Sequence, residues 1–140
     1  MSDLFTIDEI KSLITLTDDL ENECYKTPFI HNHLNVILLE TKKLLTRKLS
    51  IQKKKLKDRW EYYTGKAKPE VYKENPFPLK ILKTDIHLYL DSDPELSVLN
   101  EEIDDIKNEI SFIEESLKNV NQRTFLIKSS MDFKRFMAGG

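Results

Sequence analysis

The residues best suited to chemistry lie in one run, RKLSIQKKKLKDRWEYYTGKAK, residues 47–68. Lysine and arginine neutralise phosphates without reading base sequence. Trp60, Tyr62 and Tyr63 carry flat faces on which unstacked bases can sit. Cations beside aromatics, with no base-reading motif, point to sequence-independent binding of a single strand. Trp60 and Tyr63 share a helical face with Leu56, which suits core packing as well as stacking. Tyr62 lies off that face and is expected to be exposed. The first candidate residues are therefore Arg47, Lys53, Lys54, Lys57, Arg59 and Tyr62.

No other chemistry emerges. His31 and His33 are two apart, so a helix points them in different directions, and no nearby cysteine completes a metal set. His87 is isolated. Glu101, Glu102, Asp104 and Asp105 fall on the polar faces of a long helix, where acids are ordinarily solvated. Gly65-Lys66 lacks the rest of a phosphate loop. No catalytic residue, metal or cofactor is expected, and the chain is not read as an enzyme. Cys24 is the one cysteine, which excludes an internal disulfide.

The net charge of −2 conceals an asymmetry. Residues 1–41 carry eight acids and two bases, residues 42–68 two acids and eleven bases, and residues 69–140 fourteen acids and nine bases. A basic block between acidic segments either binds a polyanion or pairs with acids of this or another chain. The opening MSDLFTIDEI has no basic, apolar leader pattern, and no run approaches about 18 apolar residues. A cytoplasmic protein without a membrane partner is expected.

These residues need elements to hold them. Thr6 with Glu9 fits a capping box for a first helix ending near Cys24, with Thr27-Pro28 opening a turn or the next helix. Apolar spacing from Leu34 to Tyr63 predicts a long second helix over about 34–64, closed by Gly65. Another face of it carries Lys43, Arg47, Ser50, Lys54 and Lys57. Pro69, Pro76 and Pro78 make 65–93 irregular, with KILKTDIHLYL open to a short strand or a helical turn.

Asp93-Pro94-Glu95 is the clearest helix start in the chain. Behind it Leu96, Leu99, Ile103, Ile106, Ile110, Ile113, Leu117 and Val120 recur at an unbroken 3-4 spacing, continued more weakly by Thr124, Ile127 and Met131. That is a coiled-coil pattern, read as self-association, with packing on the basic helix of the same chain as the alternative. A second apolar set includes Phe112, Phe125, Phe133 and Phe136 and suits a helix with two neighbours, as in a ring. The fold class expected is all-α and elongated, with a basic central helix and a long C-terminal coiled-coil-like oligomerisation helix. Three segments follow: a nucleic-acid-binding region 1–64, a proline-containing connector 65–93 and an oligomerisation helix 94–140. The oligomerisation residues expected are Leu99, Ile103, Ile106, Ile110, Ile113, Leu117, Val120, Phe133 and Phe136.

The stretch QKKKLKDRWEYYTGKAKPEVY, residues 52–72, resembles the UvsY recombination mediators of tailed phages. So does the tail FLIKSSMDFKRFMAGG, residues 125–140, and DIHLYLDSDPEL between them is similar to the family's pre-helix region. The resemblance covers about residues 45–140. It implies binding of single-stranded DNA and loading of a RecA-like recombinase onto strands coated by single-stranded-DNA-binding protein. It also implies homo-oligomeric rings of six or seven subunits formed through the C-terminal region. The family's DNA-binding Lys-x-Arg pair matches Lys57 and Arg59, and its basic residue after Tyr-Tyr-x-Gly matches Lys66. Trp60 stands where that pattern has an aliphatic residue. Without the resemblance, a coiled-coil adaptor that ignores DNA and a basic scaffold for an acidic protein remain as other readings.

Overall fold

The computed structural model describes residues 7–139, and these contain helices and turns but no strand. The helices are α1 (Ile7–Ile14), α2 (Leu20–Tyr63), α3 (Pro69–Glu74), α4 (Ile86–Asp91) and α5 (Pro94–Met137), with a 3-10 turn at Lys83–Asp85 before α4. The Thr6–Glu9 capping box has its Thr6 outside the described residues.

The first helix is shorter than expected and the second starts earlier. α1 stops at Ile14, and Asp19 then opens α2 by accepting the Asn22 N–H at 3.2 Å. Pro28 lies inside α2 and does not end it. Its missing N–H leaves only the carbonyl four residues back without a helical donor. That residue, Cys24, is exposed, so water can serve it. KILKTDIHLYL resolves as the 3-10 turn and α4 rather than a strand. Ile86 is buried, Leu90 partly so and Leu88 exposed, which is the spacing of a helical turn.

The chain divides into two compact units, the first joining an early with a late segment and the second one continuous stretch. One comprises residues 1–43 and 106–140, the other residues 44–105. In the first unit, Ile10 of α1, Ile30, Leu34 and Ile37 of α2, and Ile113 and Val120 of α5 form an aliphatic core. Arg123 of α5 lies within it, only 2% exposed. Its guanidinium donates to the Leu13 carbonyl at 3.3 Å, to the Ile14 carbonyl at 2.9 Å and to the Glu23 carboxylate. The last turn of α1 is thus capped by a side chain over a hundred residues away. Burial favours the neutral acid at Glu23, but hydrogen bonds from Arg123, Thr17 and Lys26 outweigh it, and the carboxyl titrates below its ordinary range.

In the second unit, Lys48 pairs with Glu102 at 2.8 Å and Gln52 with Asn100 at 2.7 Å, so the α2 and α5 segments run antiparallel. Gly65 (φ +77°) closes α2: its N–H meets the Tyr62 carbonyl at 3.4 Å, and the Lys66 N–H meets the Glu61 carbonyl at 2.8 Å. This is a Schellman turn, and its left-handed residue favours glycine. The Tyr72 hydroxyl donates to the Tyr62 carbonyl at 2.8 Å, adding a second cap from α3. At the other end, Asp93 accepts the N–H groups of Glu95 (2.9 Å) and Leu96 (3.0 Å) and starts α5 as the sequence predicts.

The apolar row on α5 is used inside the chain. Leu99, Ile103, Ile106, Ile110, Ile113 and Val120 are buried and Leu117 is partly buried, packed against the first unit's core. Past Ile113 the buried row passes through Ser116 and Arg123, beside the Leu117 and Thr124 named by strict 3-4 spacing. Phe133 (63%) and Phe136 (77%) are exposed.

Candidate nucleic-acid interface

The basic run occupies the end of α2 in the second unit, and its cations fall into two groups. Arg47, Lys53 and Lys54 are exposed and make no ion pair among the described residues. Lys57 is exposed, with only Glu61 one turn on at 3.8 Å. Lys66 lies past the Schellman turn with its ammonium 4.5 Å from the centre of the Trp60 ring, a cation–π contact. Lys53, Lys57, Trp60 and Thr64 recur every three or four residues and so share one face of the helix end.

Arg59 belongs to the other group. Its guanidinium meets the Asp93 carboxylate at 2.7 Å and Glu95 at 3.2 Å, and it lies 4.3 Å from the centre of the Tyr62 ring. Its side chain is 19% exposed. Asp93 also accepts the Tyr63 hydroxyl at 2.6 Å. Burial raises the Asp93 carboxyl, but hydrogen bonds from Tyr63, the Leu96 N–H and Arg59 pull it further down, so it titrates below the usual carboxylate range. Burial lowers Arg59, and hydrogen bonding to Tyr63 and Asp93 together with the charges of Asp93 and Glu95 raises it on balance. Tyr63 is pushed up, first by burial and then by the bond its proton makes to Asp93. One buried carboxylate therefore ties together the helix start, an arginine and a tyrosine. Lys48 and Lys55 are also engaged, with Glu102 and at 4.0 Å with Glu95.

The aromatics differ from expectation. Tyr62, read as the exposed ring, is buried at 7%. It stacks on Tyr72 (centroids 5.5 Å apart, planes at 16°), leans on Phe77 and donates its hydroxyl to the Asn75 carbonyl at 3.1 Å. The connector folds back over this side of α2 and needs a core. Tyr63, Phe77 and Tyr89 complete that aromatic cluster. Trp60 is 38% exposed and is the ring left open beside the lysines. Sequence periodicity gave the apolar face toward α5 but not a second packing surface made by the connector.

No group of three or more His, Cys, Asp or Glu able to hold a metal occurs among the described residues, and no described helix is long and apolar enough to cross a membrane. The described residues form an all-α fold whose exposed side chains at the end of α2 are cations and the Trp60 ring. Residues 3–140 match the family described as "Recombination, repair and ssDNA binding protein UvsY", and the chain belongs to that family. The match extends into the N-terminal helices, well beyond the motifs that carry the resemblance. UvsY-family proteins are non-catalytic mediators. The fold is similar to crystal structures of the bacteriophage T4 recombination mediator protein UvsY. In lattice type I the TM-score is 0.81 at 20% identity, covering 97% of this chain and 99% of that one. In lattice type II it is 0.79 at 20% identity, covering 94% and 93%. No curated protein matches the chain in sequence.

Proposed function

We propose that this chain is a recombination mediator that binds single-stranded DNA and promotes loading of a RecA-like recombinase onto strands coated by single-stranded-DNA-binding protein. The observation that carries this reading is the set of exposed, uncompensated cations at the end of α2, in a member of a family described by single-stranded-DNA binding. Arg47, Lys53, Lys54, Lys57 and Lys66 meet phosphates. Arg59, held by Asp93 and Glu95, positions the helix end that carries them. Tyr62 supports the site from beneath by packing the connector.

Copies assemble into a ring of six or seven subunits through the exposed Phe133 and Phe136. Leu99, Ile103, Ile106, Ile110, Ile113, Leu117 and Val120 support assembly indirectly, by holding α5 in place within each copy. One such DNA site is weak and salt-dependent. A ring repeats it at high local concentration and holds the strand tightly. Wrapping the strand loosens the coating protein and admits the recombinase. The work takes place in the cytoplasm, that of the host cell if the protein is phage-encoded.

Anisotropy of a labelled poly-dT oligonucleotide, at low and high salt with duplex competitor, tests this directly. Tight, salt-sensitive binding that prefers the single strand is expected. Absence of binding at low salt overturns the reading.

A further inference from the structure

Beside the exposed cations, the second unit contains a cleft of about 800 Å³ between the end of α2, the connector and α4. Pockets of roughly 300–1,000 Å³ accept small organic ligands, so a base with its sugar fits. Its lining has an unusual charge balance. Lys66, Lys80, Lys83 and His87 contribute to it, and no carboxylate does. Lys80 and Lys83 make no ion pair among the described residues. In a chain of net charge −2, an apolar hollow ringed by uncompensated lysines matches a ligand that is flat and apolar at one end and anionic at the other.

Trp60 forms part of the wall and is also in line with Lys53 and Lys57 on α2. A strand whose phosphates follow those lysines reaches the mouth of the cleft at the indole. We propose that the cleft is a nucleotide subsite: an unstacked base of the bound single strand enters against Trp60, and Lys80 and Lys83 meet its flanking phosphates. The inference rests on the reading of the chain as a single-strand binder and adds to it a pocket on the connector. It makes the connector, not only α2, part of the DNA site.

Trp60 is the only tryptophan, so its emission reports the cleft directly. The full chain is titrated with labelled oligo-dT, following anisotropy and tryptophan emission together, and again with an abasic strand of equal length. Quenching of Trp60 by oligo-dT is expected, with weak quenching and roughly tenfold lower affinity for the abasic strand, since base–aromatic stacking is worth about 1–3 kcal/mol. K80A/K83A alters only exposed side chains. It is expected to weaken binding several-fold and to flatten the log K against log salt slope by roughly 1.4, two phosphates' worth on a single strand. W60L is expected to lose the preference for bases over abasic sugar while keeping its salt slope. Strand binding by anisotropy with unquenched Trp60 and native-like K80A/K83A overturns the subsite and leaves the function standing. Absence of strand binding altogether removes the function as well. Quenching by an acidic, leucine-rich peptide but not by oligo-dT reassigns the cleft to a protein partner and likewise overturns the proposal.

Discussion

The two compact units each carry a guanidinium bonded to a carboxylate across α2 and α5, yet they use it differently. Arg123 and Glu23 are sealed in an aliphatic core, and every group they bond belongs to the first unit's own architecture. Arg59 and Asp93 sit at the edge of an aromatic core, and Arg59 shares its helix with Lys53 and Lys54, which are exposed and make no ion pair among the described residues. The first pair only holds the chain together. The second fixes the base of a surface whose remaining charges stay available. A buried ion pair is thus a poor marker of function on its own; what its neighbours leave unpaired is the better one.

The largest effect should come from breaking the sealed pair. Arg123→Met leaves the buried Glu23 carboxylate with only Thr17 and Lys26 on one oxygen and removes the cap on α1, a loss on the order of 3–5 kcal/mol, read as a lower midpoint in urea. The double variant R123M/E23M should recover much of that, because no lone charge is then left buried. Near-native stability of R123M alone would mean that the core admits water.

Next in size is the first unit's exposed apolar end. With the proposed ring formed through Phe133 and Phe136, F133S/F136S should give a monomer in light scattering where the native chain gives an oligomer, while keeping its helical circular dichroism. An unchanged mass would place assembly elsewhere on the chain.

The edge pair should give a smaller and pH-dependent effect. The Asp93 carboxyl titrates lower in the folded chain than in the unfolded one. Its contribution is therefore complete above the ordinary carboxylate value of about 3.9 and lost as pH falls through the depressed one. Asp93→Asn should cost about 1–3 kcal/mol of stability at neutral pH for the lost charged hydrogen bonds, read as a lower thermal midpoint, and lessen the loss of stability in acid. Glu23 contributes in the same direction and remains in that variant, so the acid limb should shrink without vanishing.

The smallest effect on stability, and the clearest on binding, should come from the free cations. K53A/K54A should leave the melting curve within about 0.5 kcal/mol of native while weakening oligo-dT binding and its salt dependence. A variant that melts early but binds normally would exchange the roles assigned here to the two groups of cations.

Much of this was legible in the residues. Asp93-Pro94-Glu95 and Gly65 carry their geometry in their own chemistry, a side-chain cap and a left-handed turn, and both ends fell where expected. The start of α2 is misplaced because Thr27-Pro28 reads as the opening of a turn or of the next helix, whereas the helix begins just after Asp19; the acids at 18 and 19 followed by Glu21 are the available signal. Arg123 was unreadable for a different reason: nothing local distinguishes an arginine that will be buried from one that will be solvated. Its partner lies a hundred residues away. The same applies to Tyr62, expected exposed and in fact buried by a connector with too little periodicity to show where it folds back. The basic face itself was plain, since seven-residue recurrence of lysine and arginine needs no tertiary information.

The long-range cap on α1 also sets an order of events. An eight-residue helix is too short to persist alone in water. Its last carbonyls wait for an arginine that lies 109 and 110 positions later in the chain. At a synthesis rate of about 5–20 residues per second, that wait lasts roughly 6–20 seconds. During it α1 stays unfinished, within reach of chaperones and proteases, and it is locked only when the stretch of α5 that carries Arg123 has left the ribosome.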